Sequence, residues 1–331
     1  MPRRKKVADE TPKNIGDELI DDIVFGGEEP HLEKVVTGLW SFDNALGGGL
    51  PLRTPCEIYG QEKVGKSTFM YYLAGCIGTY YHIYYEGNVE LGIADLEGYD
   101  PDYVITRMRP SGFKGIIQPA PLTVKDKPAS HEQKLDWLLE YLKNDQTAAI
   151  MLDSVGAVFS KAEAEEESLD EAHVGIRARL MSKVMRKGVN NLRNKTHPAA
   201  FFLTNHIHQI IGGRGSATVG GKAIHYLSGM RIRMWNESKY NQDDGSYAIS
   251  GTLEDYKFGK SRGAFKVFVK AGVGVHPGIT SVIDCIDAGL VSGDRVIKLG
   301  DRSYGYLKTL IMDKYDDPDV FTAFTNELYN K

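Results

Sequence analysis

Eight residues constrain the fold of this chain more than any others: positions 60–67 read Gly-Gln-Glu-Lys-Val-Gly-Lys-Ser, a complete G-x-x-x-x-G-K-S loop, directly after the strand-like run Cys56-Glu57-Ile58-Tyr59. In such a loop the glycines let successive backbone N–H groups converge on phosphate oxygens, the lysine reaches the outer phosphates, and the serine hydroxyl can hold magnesium. The loop functions between a strand and a helix, because the helix N-terminus adds a field that favours the anion. A helix is predicted immediately after it, since Phe69, Met70, Tyr72, Leu73, Cys76 and Ile77 recur at helical spacing. The octapeptide therefore implies an α/β chain that binds a nucleoside triphosphate.

Residues up to about Lys34 are polar and charged apart from Leu19-Ile20-Asp21-Asp22-Ile23-Val24-Phe25, and read as a mobile arm carrying a small docking segment. Beyond Val35, buried strands are predicted at 91–95, 115–118, 148–153 and 199–204. Helices are predicted at about 101–109, 132–143 and 174–192. Strand then helix, repeated, implies a parallel sheet covered on both faces. After Met230 the strands 230–235, 247–254 and 265–270 follow one another, which suggests an antiparallel extension. A separate helix-plus-strand unit closes the chain from about Gly278.

Composition narrows the setting. With 42% hydrophobic and 25% charged residues in 331, the chain is ordinary for a soluble globular protein, and no apolar run approaches a membrane span. The opening Met1-Pro2-Arg3-Arg4-Lys5-Lys6 lacks the apolar stretch of a secretory signal. Cys56, Cys76 and Cys285 are odd in number and show no C-x-x-C spacing, so reduced buried thiols in the cytoplasm are expected, with no zinc or disulfide role. A net charge of −4 excludes a uniformly basic nucleic-acid coat and leaves room for local basic patches.

The run Ala148-Ala149-Ile150-Met151-Leu152-Asp153 is a strand ending in a carboxylate, which either holds magnesium through water or caps the next turn. The run from Leu91 ends in Asp95-Leu96-Glu97, where Glu97 is a candidate general base for phosphoanhydride hydrolysis or else a loop-stabilising acceptor.

At this point the residues resemble a family. Gly60 to Thr68, then Asp95-Leu96-Glu97-Gly98-Tyr99-Asp100-Pro101-Asp102-Tyr103, then Leu152-Asp153-Ser154-Val155 followed by Lys161-Ala162-Glu163, are similar in order to the RecA-type recombinases. The stretch His173 to Lys187 looks like the helix after the first DNA-binding loop of bacterial RecA. Thr204-Asn205-His206-Ile207 and the Gly-rich run to Thr218-Val219-Gly220-Gly221-Lys222-Ala223 resemble the second loop. The resemblance runs from about Val36 to Asn330.

What it implies is specific. The fold would be a RecA-like phosphate-loop core with a mainly parallel twisted sheet flanked by helices. Residues 1–35 would be an N-terminal arm docking on a neighbouring subunit, 36–277 the ATPase core with two DNA-binding loops, and 278–331 a small α/β C-terminal lobe. Gly60, Gln61, Glu62, Lys63, Val64, Gly65, Lys66, Ser67 and Thr68 would cradle ATP, with Ser67 and Asp153 at Mg2+ and Glu97 activating water. Asp100 and Tyr103 would flank the adenine. Arg179 and Arg186, seven apart on one helix face, would approach DNA phosphates, with Arg214, Gly220, Gly221 and Lys222 in the second loop. His206 stands where bacterial RecA has a γ-phosphate-sensing glutamine, a departure resembling the phage recombinase UvsX. Lys260 and Arg262 would reach the neighbour's ATP in trans, although Phe258 replaces a lysine of that segment.

The implied activity is DNA-dependent ATP hydrolysis by a recombinase that forms helical filaments on single-stranded DNA and exchanges strands with homologous duplex. The alternatives are an ATP-binding mediator without strand exchange and a ring-forming helicase. A single-strand-binding protein and a loader are the implied partners, with no membrane, in the cytoplasm of a cell or of a virus's host. Tyr80, Tyr81, Tyr84 and Tyr85 are expected to serve helix packing or a subunit contact rather than base stacking.

Overall fold

The computed structural model describes residues 33–85, 87–98, 100–159, 175–209, 216–259, 263–291, 296–299, 302–307, 310 and 317–329. Most of the expected arm, together with Arg214, Lys260 and Arg262, lies outside the described residues.

One large sheet organises the chain. Its strands are β1 (Pro55–Gly60), β2 (Glu90–Asp95), β3 (Ile116–Pro119), β4 (Thr147–Asp153), β5 (Ala200–Gln209), β6 (Ser216–Thr218), β7 (Met230–Glu237), β8 (Tyr247–Tyr256), β9 (Ala264–Lys270) and β10 (Gly274–Val275). The order is β10-β9-β8-β7-β1-β5-β4-β2-β3, with β6 hairpinned onto β5. The six strands from β7 to β3 run parallel, and β8, β9 and β10 continue antiparallel beyond β7. The mostly parallel sheet with an antiparallel extension is the α/β architecture expected from the sequence.

The helices are α1 (Trp40–Ala45), α2 (Lys66–Tyr84), α3 (Pro101–Met108), α4 (His131–Tyr141), α5 (Ile176–Asn194), α6 (Lys222–Leu227), α7 (Pro277–Asp287) and α8 (Pro318–Tyr329). Side chains of a strand alternate between faces, so a central strand supplies two cores. In β4, Ala149 and Met151 join the cluster built on α2, whereas Ile150 and Leu152 join the one built on α4 and α5. Every residue of β4 is buried, as a parallel strand covered on both sides requires. A third cluster packs α7 and α8 against Ala248 and Phe268 of the antiparallel strands.

Local signals set the helix ends. Ser130 Oγ accepts the Gln133 N–H at 3.2 Å while Gln133 Oε1 accepts the Ser130 N–H at 2.9 Å, a capping box worth about 1 kcal/mol. Pro101 opens α3 behind the capping Asp100. The carbonyls around the C-terminus of α5 are met by Arg53, whose guanidinium donates to Leu192 O, Lys195 O and Thr196 O. No helix among the described residues is long and apolar enough to cross a membrane. All three cysteines are buried and none forms a disulfide.

One buried carboxylate makes stability depend on pH. Asp284 on α7 is 3% exposed, and its Oδ2 accepts the Ser41 N–H at 3.1 Å. Burial lifts its pKa from 3.8 to about 6. A raised carboxyl pKa favours the protonated fold, so stability is full below the unfolded value and declines as the pH rises through about 6. Asp284→Asn is therefore expected to stabilise the protein near neutral pH by up to about 3 kcal/mol. Urea unfolding is the measurement, and the gain should shrink by about half near pH 5.

Candidate active site

Strand register gathers the site at the carboxyl edge of the parallel strands. Gly60, the last residue of β1, lies opposite His206 of β5, and Asp95 of β2 lies opposite Asp153 of β4. The N-terminus of α2 opens into the same edge, the position where α/β sheets place ligands.

The phosphate loop reaches α2 through left-handed backbone. Lys63 has φ 60 and Gly65 has φ 90. A Cβ at Gly65 would stand 2.7 Å from Ile249 Cδ1 and 2.8 Å from Tyr247 Oη, so a side chain at this left-handed position would be both strained and crowded. Lys63 and residues Gly65 to Thr68 form one wall of a cleft of about 320 Å3, with Glu97, Asp153, His206, Tyr103 and Tyr247 completing it. Lys66 Nζ donates to Gln61 O at 2.7 Å and Gly60 O at 3.4 Å. Burial lowers its pKa, against the pull of Asp153 and Glu97.

Asp153 is 6% exposed and accepts from Thr204 Oγ1 at 2.5 Å and Tyr71 Oη at 3.0 Å. Burial raises its pKa, and the bonds from Thr204, Ser67 and Tyr71 oppose that rise. Ser67 and Asp153 line the same cleft, which brings the two expected magnesium holders together. Both offer oxygen, the donor a hard cation prefers. Among the described residues no group of three or more His, Cys, Asp or Glu is arranged as a metal cage. That donor set fits magnesium held by one or two protein oxygens together with phosphates.

Glu97 and His206 meet. Glu97 Oε1 accepts a hydrogen bond from Ser154 Oγ and lies 3.2 Å from His206 Nε2. Burial alone would raise the Glu97 pKa, but the bonds from Ser154 and His206 and the charges of His206 and Lys66 bring it below the ordinary 4.5. The carboxylate is thus ionised at neutral pH, as a proton acceptor must be. Gly156 makes the approach possible, because a Cβ there would stand 2.8 Å from His206 Cδ2. His206 Nδ1 is buried without a hydrogen-bond partner among the described residues.

Tyr103 Oη lies 3.1 Å from Thr68 Oγ1, and the Arg107 guanidinium stands 4.7 Å from the Tyr103 ring centroid. Asp100 does not line the cleft. Its Oδ1 accepts the Asp102 and Tyr103 N–H groups at 3.1 and 3.3 Å, which caps the helix carrying Tyr103. Several contributors escaped sequence reasoning. Tyr71 sits inside the apolar stripe of α2, where a buried hydroxyl requires a partner, and that requirement was the available signal. Thr204 and Ser154 stand in strand-end runs of the sequence but show no sign there of their partners Asp153 and Glu97, and Tyr247 carried no signal, because strand pairing and not local pattern brings it to the cleft.

The DNA-loop candidates among the described residues lie on α5 and on the chain that follows β5. Ile207, His208 and Gln209 pair with Thr218, Ala217 and Ser216, so β5 runs past the cleft into a hairpin. Gly220 and Gly221 follow with φ 88 and 83. A Cβ at Gly220 would stand 2.6 Å from both Ile224 Cδ1 and Val155 Cγ1, and one at Gly221 would stand 2.8 Å from Ala178 Cβ. These glycines bring the chain just before α6 against Val155 and the first turn of α5. Arg179 and Arg186 are exposed on the outer face of α5, while Met181, Val184, Met185 and Leu192 are buried on the inner one. Lys183 and Arg193 share the outer face and are also exposed, a basic stripe longer than the pair expected. Lys222 is exposed at the start of α6.

A family model described as the RecA N-terminal domain matches residues 6–254. Among curated proteins, Protein RecA of Kineococcus radiotolerans is 32% identical over 207 residues, which are 61% of this chain and 54% of that relative. Protein RecA of Rhodococcus opacus is 31% identical over 224 residues, 66% of this chain and 59% of the relative. Protein RecA of Gloeobacter violaceus is 30% identical over 247 residues, 72% of this chain and 61% of the relative. The chain thus spans 54 to 61% of the length of these relatives.

Proposed function

Since the chain belongs to the RecA family, we propose that it is a recombinase of the RecA/UvsX type, which assembles with ATP on single-stranded DNA, pairs it with homologous duplex and hydrolyses ATP to ADP and phosphate. The observation that carries this reading is the course of β5. One strand bonds Asp153 through Thr204, touches Glu97 through His206, and continues into the hairpin of the Gly-rich loop. In this reading nucleotide chemistry and the DNA loop share a single strand.

The loop amides, Lys66, Ser67 and Thr68 would hold the triphosphate, and Ser67 with Asp153 would hold magnesium, which neutralises charge on the transferred phosphoryl group. Glu97 accepts the proton of the attacking water at its carboxylate. Movement of His206 Nε2 away from Glu97 toward a phosphate oxygen frees that carboxylate and pulls on β5 at the base of the hairpin. Arg179, Arg186, Lys222 and the neighbouring Lys183 and Arg193 contact DNA phosphates, so binding is sequence-independent and base pairing reads the sequence. Lys260 and Arg262 supply cations to the adjacent subunit's site, residues 1–35 dock between subunits, and 278–331 gather duplex. A single-strand-binding protein and a loader act with it in the cytoplasm.

Electron microscopy with ATP and single-stranded DNA, paired with an ATPase assay, tests this reading. Helical filaments and DNA-stimulated hydrolysis are expected; closed rings, or ATP binding with no response to DNA, would overturn it. Arg179→Ala/Arg186→Ala should weaken single-strand binding for all sequences. It should also lower the log–log salt slope by about 0.7 for each phosphate that is no longer neutralised.

A further inference from the structure

Glu57 lies in the strand that delivers the phosphate loop, yet it lines neither the cleft nor the DNA face. It is 0% exposed. A carboxylate in that position is tolerated only with directed partners, and Glu57 has two. Oε1 accepts from Asn205 Nδ2 at 2.8 Å, and Oε2 accepts from Arg231 Nε at 2.6 Å.

Each partner makes a second bond to the segment behind the Gly-rich loop. Asn205 Nδ2 also donates to Val219 O at 2.8 Å, and its Oδ1 accepts the His206 N–H at 2.9 Å. Arg231 Nη1 lies 2.6 Å from His225 Nδ1 and 3.0 Å from Asp255 Oδ2. The same guanidinium stands 4.7 Å from the ring centroid of Tyr59, the next-to-last residue of β1. One carboxylate therefore ties the phosphate-loop strand to both ends of the stretch from Val219 to His225. A pair of apolar side chains could fill this space, but without direction.

We infer that Glu57 is a positioning residue whose bonds to Asn205 and Arg231 couple the phosphate-loop strand to segment 219–225, so that nucleotide and DNA are sensed jointly. The inference rests on the reading that the cleft hydrolyses ATP in response to DNA. Neither Glu57 nor Arg231 touches nucleotide or DNA in it.

Glu57→Gln keeps the shape but offers one acceptor where two donors converge. Coupling between sites typically amounts to about 5–150-fold, so DNA stimulation of hydrolysis should fall at least about fivefold. Hydrolysis without DNA and the KM for ATP should stay within about twofold. A merely structural role would lower stimulated and unstimulated rates together, and a folded variant of that kind, or one with full stimulation, overturns the inference. If Glu57→Gln does not fold, Glu57→Met/Arg231→Met, which leaves no buried charge without its partner because Asp255 is half exposed, is expected to fold and show the same selective loss; retained stimulation there overturns it equally. A measurement without variants is hydrogen exchange in the wild-type protein. A non-hydrolysable ATP analogue, added without DNA, should slow the amides of 219–225, and unchanged exchange with the analogue bound counts against the coupling. Wild-type protein that shows no DNA stimulation would sink the recombinase reading itself, an outcome distinct from any of these.

Discussion

Glu97→Gln is expected to bind ATP as the wild type does and to hydrolyse it about 10²–10⁴ times more slowly, the usual contribution of a positioned base. The amide preserves shape, and its oxygen can still accept from Ser154, so the site should not rearrange. What disappears is the ionised oxygen that takes a proton from water. The carboxyl pKa lies below 4.5 in the folded protein, so the basic form is complete at neutral pH and is lost only as the pH falls through that depressed value. A decline in wild-type rate between about pH 7 and pH 5.5 would therefore belong to another group. Single-turnover hydrolysis beside binding of a fluorescent ATP analogue separates the two effects. A variant with wild-type turnover would leave Glu97 as a loop-stabilising acceptor for Ser154 and nothing more.

Lys66→Ala should fail one step earlier. The Lys66 ammonium is buried at the mouth of α2 and satisfied by the loop carbonyls of Gln61 and Gly60, a place from which it can turn to phosphate. A hydrogen bond to a charged group is worth about 1.5–3 kcal/mol. Without one or two such bonds ATP affinity drops by about 10- to 10⁴-fold, and hydrolysis goes with it. Alanine suits the first turn of a helix, so the fold should persist. Thermal unfolding checks both points: the unliganded midpoint should barely move, while the upward shift produced by ATP and magnesium in the wild type should vanish. The two variants thus bracket the cycle, one held with ATP and one unable to acquire it. A Lys66→Ala variant with an intact ATP-induced shift would remove Lys66 from the phosphate site.

Much of this was legible in the sequence because it is written locally. The phosphate loop, the strand ends at Asp95 and Asp153, and the turn to antiparallel pairing beyond Met230 are short-range patterns, and the strands lie within a few residues of their predicted places. Where pairing decides, the sequence is silent. The polar run Asn205-His206-Ile207-His208-Gln209 predicts an end to β5 near Thr204, but pairing with Ser216 to Thr218 carries the strand to Gln209. Helix α6 is hidden in what reads as a Gly-rich loop. The Glu57, Asn205 and Arg231 triad spans 174 positions and exists only through the register of β5, β1 and β7. Asp100 carries a legible signal that the family resemblance overrides: an aspartate before Pro101 is a helix cap. The tyrosine run follows the packing expectation in part, with Tyr81 buried and Tyr80 and Tyr85 bonded to Glu33, while Tyr84 is left exposed.

The crowding of Gly65 by Tyr247 and Ile249 has a practical corollary. Those two residues belong to β8, outside the parallel half that bears the catalytic candidates, yet they press on the loop at its tightest turn. A minimal nucleotide-binding fragment therefore cannot be cut at the end of the parallel strands, because the loop would lose the wall that holds its shape. By the same contact, repacking Ile249 offers a handle for tuning ATP affinity from a position that meets no phosphate.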